Sequence, residues 1–208
     1  MIDLATLVTY VAIVLGFVFI PGPATLLTVA RACSSGTKVG IATGAGIAAG
    51  DVIHTFMAII GISAVIAASA LLFSIIKYIG AAYLVYLGIR AVVEKTPGDL
   101  ITRATPIMAG KAFRQAVLTE ILNPKTALFF LAFLPQFVRP EHGLVMLQLT
   151  ILGLVFVLLG LLSTVVFAVG AGRLGNFLRR NPTVLRWQGK VVGCIYFALG
   201  IRLALQER

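Results

Sequence analysis

Apolar residues fall along this chain in blocks of about 20 residues or more, the length that crosses a bilayer as a helix. The first block runs from about Leu4 to Ala30 and gives way to a polar turn from Arg31 to Lys38. The second covers about Val39 to Ile66, and a tight connection near Ala67–Ser74 leads to a third, about Leu71 to Val93. Glu94 to Lys111 is the longest polar stretch, with Pro97-Gly98-Asp99 and Thr105-Pro106 as loop signals. The fourth block is about Ala112 to Val138, the fifth about Gly143 to Gly170 and the sixth about Gly189 to Leu205. This pattern predicts an all-α integral membrane protein with six transmembrane helices in one transporter-sized domain, 1–208. Asp3 stands where the basic start of a secretory signal belongs, and the first apolar run is too long for one, so the first helix is expected to be retained.

Two blocks are interrupted. Ile20-Pro21-Gly22-Pro23-Ala24-Thr25 breaks the first, and Leu122-Asn123-Pro124-Lys125-Thr126 breaks the fourth. Proline removes a backbone donor and clashes with the preceding turn. Within a bilayer, non-helical backbone is tolerated only where protein covers it or where it lines a wet cavity. Depth ties the breaks together. Pro21 lies ten residues from Arg31, and Pro124 lies ten residues from Arg114. At about 1.5 Å per residue, both fall roughly 15 Å from one edge, the middle of a ~30 Å core. Asp51, thirteen residues past Lys38, reaches a similar level.

An internal repeat fits the same picture. The third block reads Lys77-x-x-Gly80-x-x-Tyr83-x-x-x-Leu87-Gly88-Ile89-Arg90. The sixth reads Lys190-x-x-Gly193-x-x-Tyr196-x-x-Leu199-Gly200-Ile201-Arg202, the same series less one residue. Pro23-Ala24-Thr25-Leu26 and Pro124-Lys125-Thr126-Ala127 relate the first and fourth more loosely. Partners three spans apart must insert in opposite directions. The expectation is two inverted three-helix repeats, about 1–94 and 112–208, joined by a cytoplasmic loop at 95–111, with helices 1 and 4 broken. Chance similarity between two glycine- and leucine-rich helices is the alternative.

Composition and charge refine this. The chain is 60% hydrophobic and only 12% charged, with a mean hydropathy of +1.05. The net charge of +10 does not signal nucleic acid, because the basic residues lie between apolar blocks. Twelve Lys and Arg flank the loops after blocks one, three and five, and four flank the other side. By the positive-inside bias, both termini are expected to lie outside the cytoplasm. Cys33 and Cys194 have no metal or redox spacing.

Asp51, His54, Glu120, Asn123 and Lys125 are the polar residues expected to carry chemistry, because ionisable groups inside a span mark sites. Asp51 reads either as a carboxylate that binds protons or an amine, or as the permanent partner of Lys125. His54 shares its helix face three residues on, as a proton relay or as a hydrogen-bonded structural histidine. Glu120 either faces the same cavity or reaches the cytoplasmic rim. Lys125 is too deep to reach either edge and needs an anionic partner. Pro21, Gly22 and Pro23 can restart a helix whose free amides attract a carboxylate; Pro124 breaks the second segment. The repeats Gly36, Gly40, Gly44, Ala48 and Gly46, Gly50 predict close helix packing, not a nucleotide loop. Tyr10, Phe73, Tyr78 and Trp187 read as interface anchors. Nothing points to an enzyme: a single intramembrane aspartate does not make an aspartyl protease, and no serine–histidine setting supports hydrolysis. Neither a cofactor nor a metal site is expected.

Taken in order, Pro21-Gly22-Pro23, the glycine-rich helix ending Gly50-Asp51, Lys77-x-x-Gly80-Ala81-x-Tyr83-Leu84-x-x-x-Gly88 and Asn123-Pro124-Lys125…Phe129-Phe130…Pro135-Gln136-Phe137 form a set of motifs. Over nearly the whole chain this set resembles the LysE/RhtB family of bacterial amino-acid exporters. The resemblance implies efflux of amino acids such as homoserine, threonine, leucine or basic ones, driven by proton antiport. The implied partners are a small-molecule amino acid, protons and the lipid bilayer, with a homo-oligomer open. The competing reading is an exporter of a heavy-metal or other small ion on a similar inverted-repeat scaffold.

Overall fold

The computed structural model describes residues 2–19, 22–68, 75, 78–79, 81–83, 85–86, 89, 93, 105–180, 190, 194, 197–198 and 201; for 62–68, 124 and 172–180 it describes the backbone alone. Among these residues every regular element is helical. Most of the third and sixth predicted spans, the repeat motifs they carry and Pro21 lie outside the described residues.

Helix α1, Leu4–Phe19, starts where both Asp3 carboxylate oxygens accept from Thr6, one from its amide and one from its hydroxyl, each at 2.8 Å. That is an N-cap, which satisfies donors the helix itself leaves open. Helix α2, Pro23–Ser35, follows with proline in its first turn, where the missing N–H costs nothing. Gly36 ends it at φ +89°, a conformation that favours glycine. Helix α3 then runs straight from Thr37 to Ala68.

In the second half, α4, Ala109–Ile121, is separated by Leu122 and Asn123 from the short α5, Pro124–Leu128. A π-helical turn, Phe129–Phe133, and a 3-10 turn, Leu134–Phe137, continue α5. A further 3-10 turn at Pro140–His142 leads to α6, Val145–Arg180. Gln148 ties that connection down: its amide group donates to the carbonyls of Arg139 and Gly143, and its oxygen accepts from the Arg139 amide.

Helices α3 and α6 are long and apolar enough to cross a membrane over Thr37–Gly61 and Val145–Ala171. The pair α1–α2 bends by 52°, and α4 with the α5 segment bends by 47°, each meeting the same criterion as one broken span. The breaks therefore fall where the prolines predict them.

Helix α3 is the scaffold, packed chiefly on α4 and α6 and then on α2. Its two glycine series serve different neighbours. Side chains at Gly40 and Gly44 would run into Ala32 of α2 and Thr164 of α6, whereas those at Gly46 and Gly50 would meet Phe113, Ala116 and Glu120 of α4. Small residues let the backbones approach closely, as the spacing predicts. An aromatic cluster of Tyr10, Phe17, Phe129, Phe130, Phe133, Phe137 and Phe156 fills the space between α1, the π-helical turn and α6. Tyr10 corrects an expectation. It is fully buried, not an interface anchor, and its hydroxyl donates to the Leu152 carbonyl at 2.9 Å. A buried phenol needs such a partner, which only the fold supplies.

Candidate functional site

Where the two breaks meet, they enclose a pocket of about 410 Å³ including its open mouth. Asp51 comes from α3, Glu120 from α4, Asn123 and Lys125 from the second break, and Gly22 from the first. The breaks touch: a Cβ at Gly22 would lie 3.3 Å from Lys125 Nζ.

Asn123 organises the second break. Its side-chain oxygen accepts from the Lys125 amide at 3.1 Å, capping α5. Its Nδ2 donates to both Glu120 carboxylate oxygens, at 3.1 and 3.2 Å, and to Thr126 Oγ1 at 3.1 Å. Glu120, only 1% exposed, faces the pocket and not the rim. Pro124 has no N–H to offer the Glu120 carbonyl four residues back. The Asn123 amide and His54 Nε2 take its place, at 2.9 and 2.8 Å. A carbonyl only accepts, so His54 must carry a hydrogen on Nε2. His54 sits behind the pocket wall, stacked on Phe130 at 5.9 Å, and clamps the break onto α3.

Asp51 and Glu120 line the same pocket. Asp51 is 2% exposed, and its Oδ1 has no hydrogen-bond partner among the described residues. Gly160 of α6 leaves room for it, since a Cβ there would stand 3.2 Å from Oδ2. Lys125 Nζ donates to the Phe17 carbonyl at 3.3 Å and lies 4.1 Å from the Phe17 ring centroid.

Of the residues predicted from sequence, Asp51, Glu120, Asn123, Lys125 and Gly22 line the pocket together. Pro23 is exposed at the start of α2 and contributes its place in the backbone. Pro124 opens α5. Phe17, Thr25, Thr126, Phe156, Gly160 and Thr164 also line the pocket and were not singled out. Thr164, four residues past Gly160 and opposite Gly44, carries the one usable sequence signal, a polar residue at glycine spacing in an apolar span. Among the described residues, no group of three or more His, Cys, Asp or Glu side chains could hold a metal ion.

Comparison with known proteins agrees with this architecture. The chain is 31% identical over 204 residues to an uncharacterized membrane protein of Vibrio cholerae, covering 97% of this chain and 98% of that one. It is 34% identical over 209 residues to the uncharacterized membrane protein YrhP of Bacillus subtilis, covering 96% and 99%. To the homoserine/homoserine lactone efflux protein of Salmonella typhimurium it is 29% identical over 184 residues, 88% of each chain. No solved structure matches. A family model described as LysE type translocator matches residues 15–207, and the chain belongs to that family.

Proposed function

We propose that this protein exports amino acids from the cytoplasm across the bacterial inner membrane by proton antiport. The reading takes two inverted three-helix repeats, with both termini periplasmic, as the moving parts. One observation carries it: Asp51, whose buried Oδ1 has no hydrogen-bond partner among the described residues, lines a pocket that Lys125 also lines. A buried carboxylate oxygen without a partner is costly unless a cation or a proton satisfies it. The α-ammonium of a zwitterion fits that position, and its carboxylate fits Lys125 and the uncapped first amides of α2. The name of the Salmonella relative supports an amino-acid cargo.

Protons and ammonium compete for the same acids. An arriving ammonium displaces the proton, and departure of the cargo readmits it. Asn123 and His54 hold Glu120 in place throughout.

Proteoliposomes with an imposed pH gradient test this. Asp51→Asn keeps the shape and removes the exchangeable proton. Net efflux of homoserine, threonine, leucine or lysine, whichever the wild type carries, should fall to background while the folded protein persists. Wild-type pH-driven efflux from folded Asp51→Asn protein would exclude the role given to Asp51.

A further inference from the structure

We propose that the cargo itself caps helix α2: an acceptor oxygen of the amino acid, from its carboxylate or from the carbonyl of its lactone, enters beside Gly22 and accepts from the Thr25 hydroxyl and the first free amides of the helix. The inference rests on the amino-acid reading above and adds to it Thr25 as a binding residue and the bare Gly22 as the place where the oxygen enters.

The two breaks open their second helices on one pattern. Gly22-Pro23-Ala24-Thr25 and Asn123-Pro124-Lys125-Thr126 both put proline at the first helical position and threonine at the third. At α5 the cap is complete: the Asn123 side-chain oxygen accepts from the Lys125 amide, and its Nδ2 donates to Thr126 Oγ1, both at 3.1 Å. At α2 the backbone already has the extended shape of a cap residue, φ −108° and ψ −170°, but Gly22 has no side chain to complete it. Pro23 has no amide hydrogen, and the Leu26 amide is taken by the Gly22 carbonyl at 2.9 Å. The amides of Ala24 and Thr25 are the donors of that turn with no partner inside the helix.

The Thr25 hydroxyl is a third donor. Thr25 is 6% exposed and lines the pocket. Among the described residues the other buried Ser and Thr hydroxyls are all engaged. Thr28, Thr43 and Thr55 donate to the carbonyl four residues back, Ser163 and Thr164 to the Val18 and Leu161 carbonyls, and Thr126 accepts from Asn123. For Thr25 the residue four back is Pro21, outside α2, and Thr25 Oγ1 makes no hydrogen bond with the described residues. Side chains of a helix lean toward its N-terminus, so the Thr25 side chain lies over the first turn. Asp51, whose buried Oδ1 also has no hydrogen-bond partner among the described residues, lines the same pocket. Donors at α2 and an acid oxygen at α3 are the complement of an ammonium next to an acceptor oxygen. An α-amino acid carries both groups on one carbon, and its lactone keeps both.

The test is exchange, in proteoliposomes, of whichever labelled amino acid the wild type carries among homoserine, threonine, leucine and lysine. The inhibitors are that acid, its decarboxylated amine, which keeps an ammonium and lacks the oxygen, and homoserine lactone. Wild type should bind the acid at least about tenfold more tightly than the amine, the worth of one charge-assisted hydrogen bond. Gly22→Asn supplies a built-in cap that competes with the cargo's oxygen. Gly22→Ala, with the same Cβ 3.3 Å from Lys125 Nζ and no capping oxygen, is its control. The Asn variant should weaken the acid severalfold against the Ala variant and leave the amine unchanged. Gly22→Ser, a second capping residue, serves should Gly22→Asn fail to assemble. Thr25→Val, which keeps the shape and removes the hydroxyl, should likewise weaken the acid severalfold and spare the amine, whereas Thr25→Ser should keep the preference. A purely structural role would shift acid and amine together. A lactone weakened alongside the acid in Thr25→Val supports capping by the shared carbonyl position, and a lactone unbound or unaffected supports capping by the carboxylate. An unchanged acid-to-amine ratio in Thr25→Val, or in the capping variants against Gly22→Ala, would overturn the proposal, as would equal binding of acid and amine by the wild type. If the wild type exchanges none of these amino acids, the amino-acid reading itself falls and this inference falls with it.

Discussion

At the break between α1 and α2 the backbone is left to outside partners, whereas at the break between α4 and α5 local side chains close around it. Gly22 is extended, at φ −108° and ψ −170°, and no side chain caps α2. The Phe17 carbonyl just before it is served by Lys125, a residue 108 positions away in sequence. The second break is served mostly from within: Asn123 links Glu120, Lys125 and Thr126, and His54 of α3 adds one bond to the Glu120 carbonyl. One break offers bare amides and carbonyls, and the other offers side chains held in fixed positions. Under the proposed function, gripping both ends of a zwitterion draws on both kinds, side chains from the second break and backbone amides from the first.

The strongest way to break this comparison is Asn123→Ala. It strands the Lys125 amide and deprives Glu120 of its donor, both buried. Unsatisfied buried groups cost about 1–3 kcal/mol each, so a loss of about 3 kcal/mol is expected. Thermal unfolding in detergent should register it as a marked drop in midpoint, and an unchanged midpoint would mean the network carries no stability.

A matched pair of alanine substitutions sharpens the contrast. At Gly50, one turn of α3 behind the second break, a Cβ would lie 2.5 Å from Glu120 Cβ, between two packed helices. Such overpacking costs about 1–3 kcal/mol. At Gly22 the new Cβ meets only the end of the Lys125 chain, at 3.3 Å. Displacing that chain costs about 0.5–1.5 kcal/mol. Gly50→Ala should therefore lower the melting midpoint more than Gly22→Ala, and the reverse order would show the first break to be the stiffer.

The smallest effect concerns the far end of α1. Bonds from the Thr6 amide and hydroxyl hold the Asp3 carboxyl below its ordinary value of 3.8. The folded group is thus the stronger acid, so the cap stabilises above the unfolded pKa and is lost as pH falls through the depressed folded one. Asp3→Ala should lower the melting midpoint slightly at neutral pH, with the difference from wild type shrinking below about pH 4. A difference that grows on acidification would contradict the cap.

The amino-acid order alone determined the helical class and both breaks, whereas the helices outrun the expected spans, α2 reaching Ser35 in the expected polar turn and α6 reaching Arg180. Proline's missing donor and the cost of polar groups in hydrocarbon act locally, so Pro23 and Pro124 announce interruptions without knowledge of any neighbour. The common depth of Asp51, Lys125 and the breaks followed from helix rise alone, and the five pocket residues it singled out do converge. Direction was another matter. Only packing turned Glu120 inward, set His54 behind the wall as a clamp and buried Tyr10 under the Leu152 carbonyl. Only packing, too, brought Lys125 Nζ to the Phe17 carbonyl. A sequence records that a charge lies at a certain depth along a helix. Which of several charges at that depth become neighbours depends on how each helix rotates about its axis, and the close contacts of Gly44 with Thr164 and Gly50 with Glu120 fix that rotation for α3.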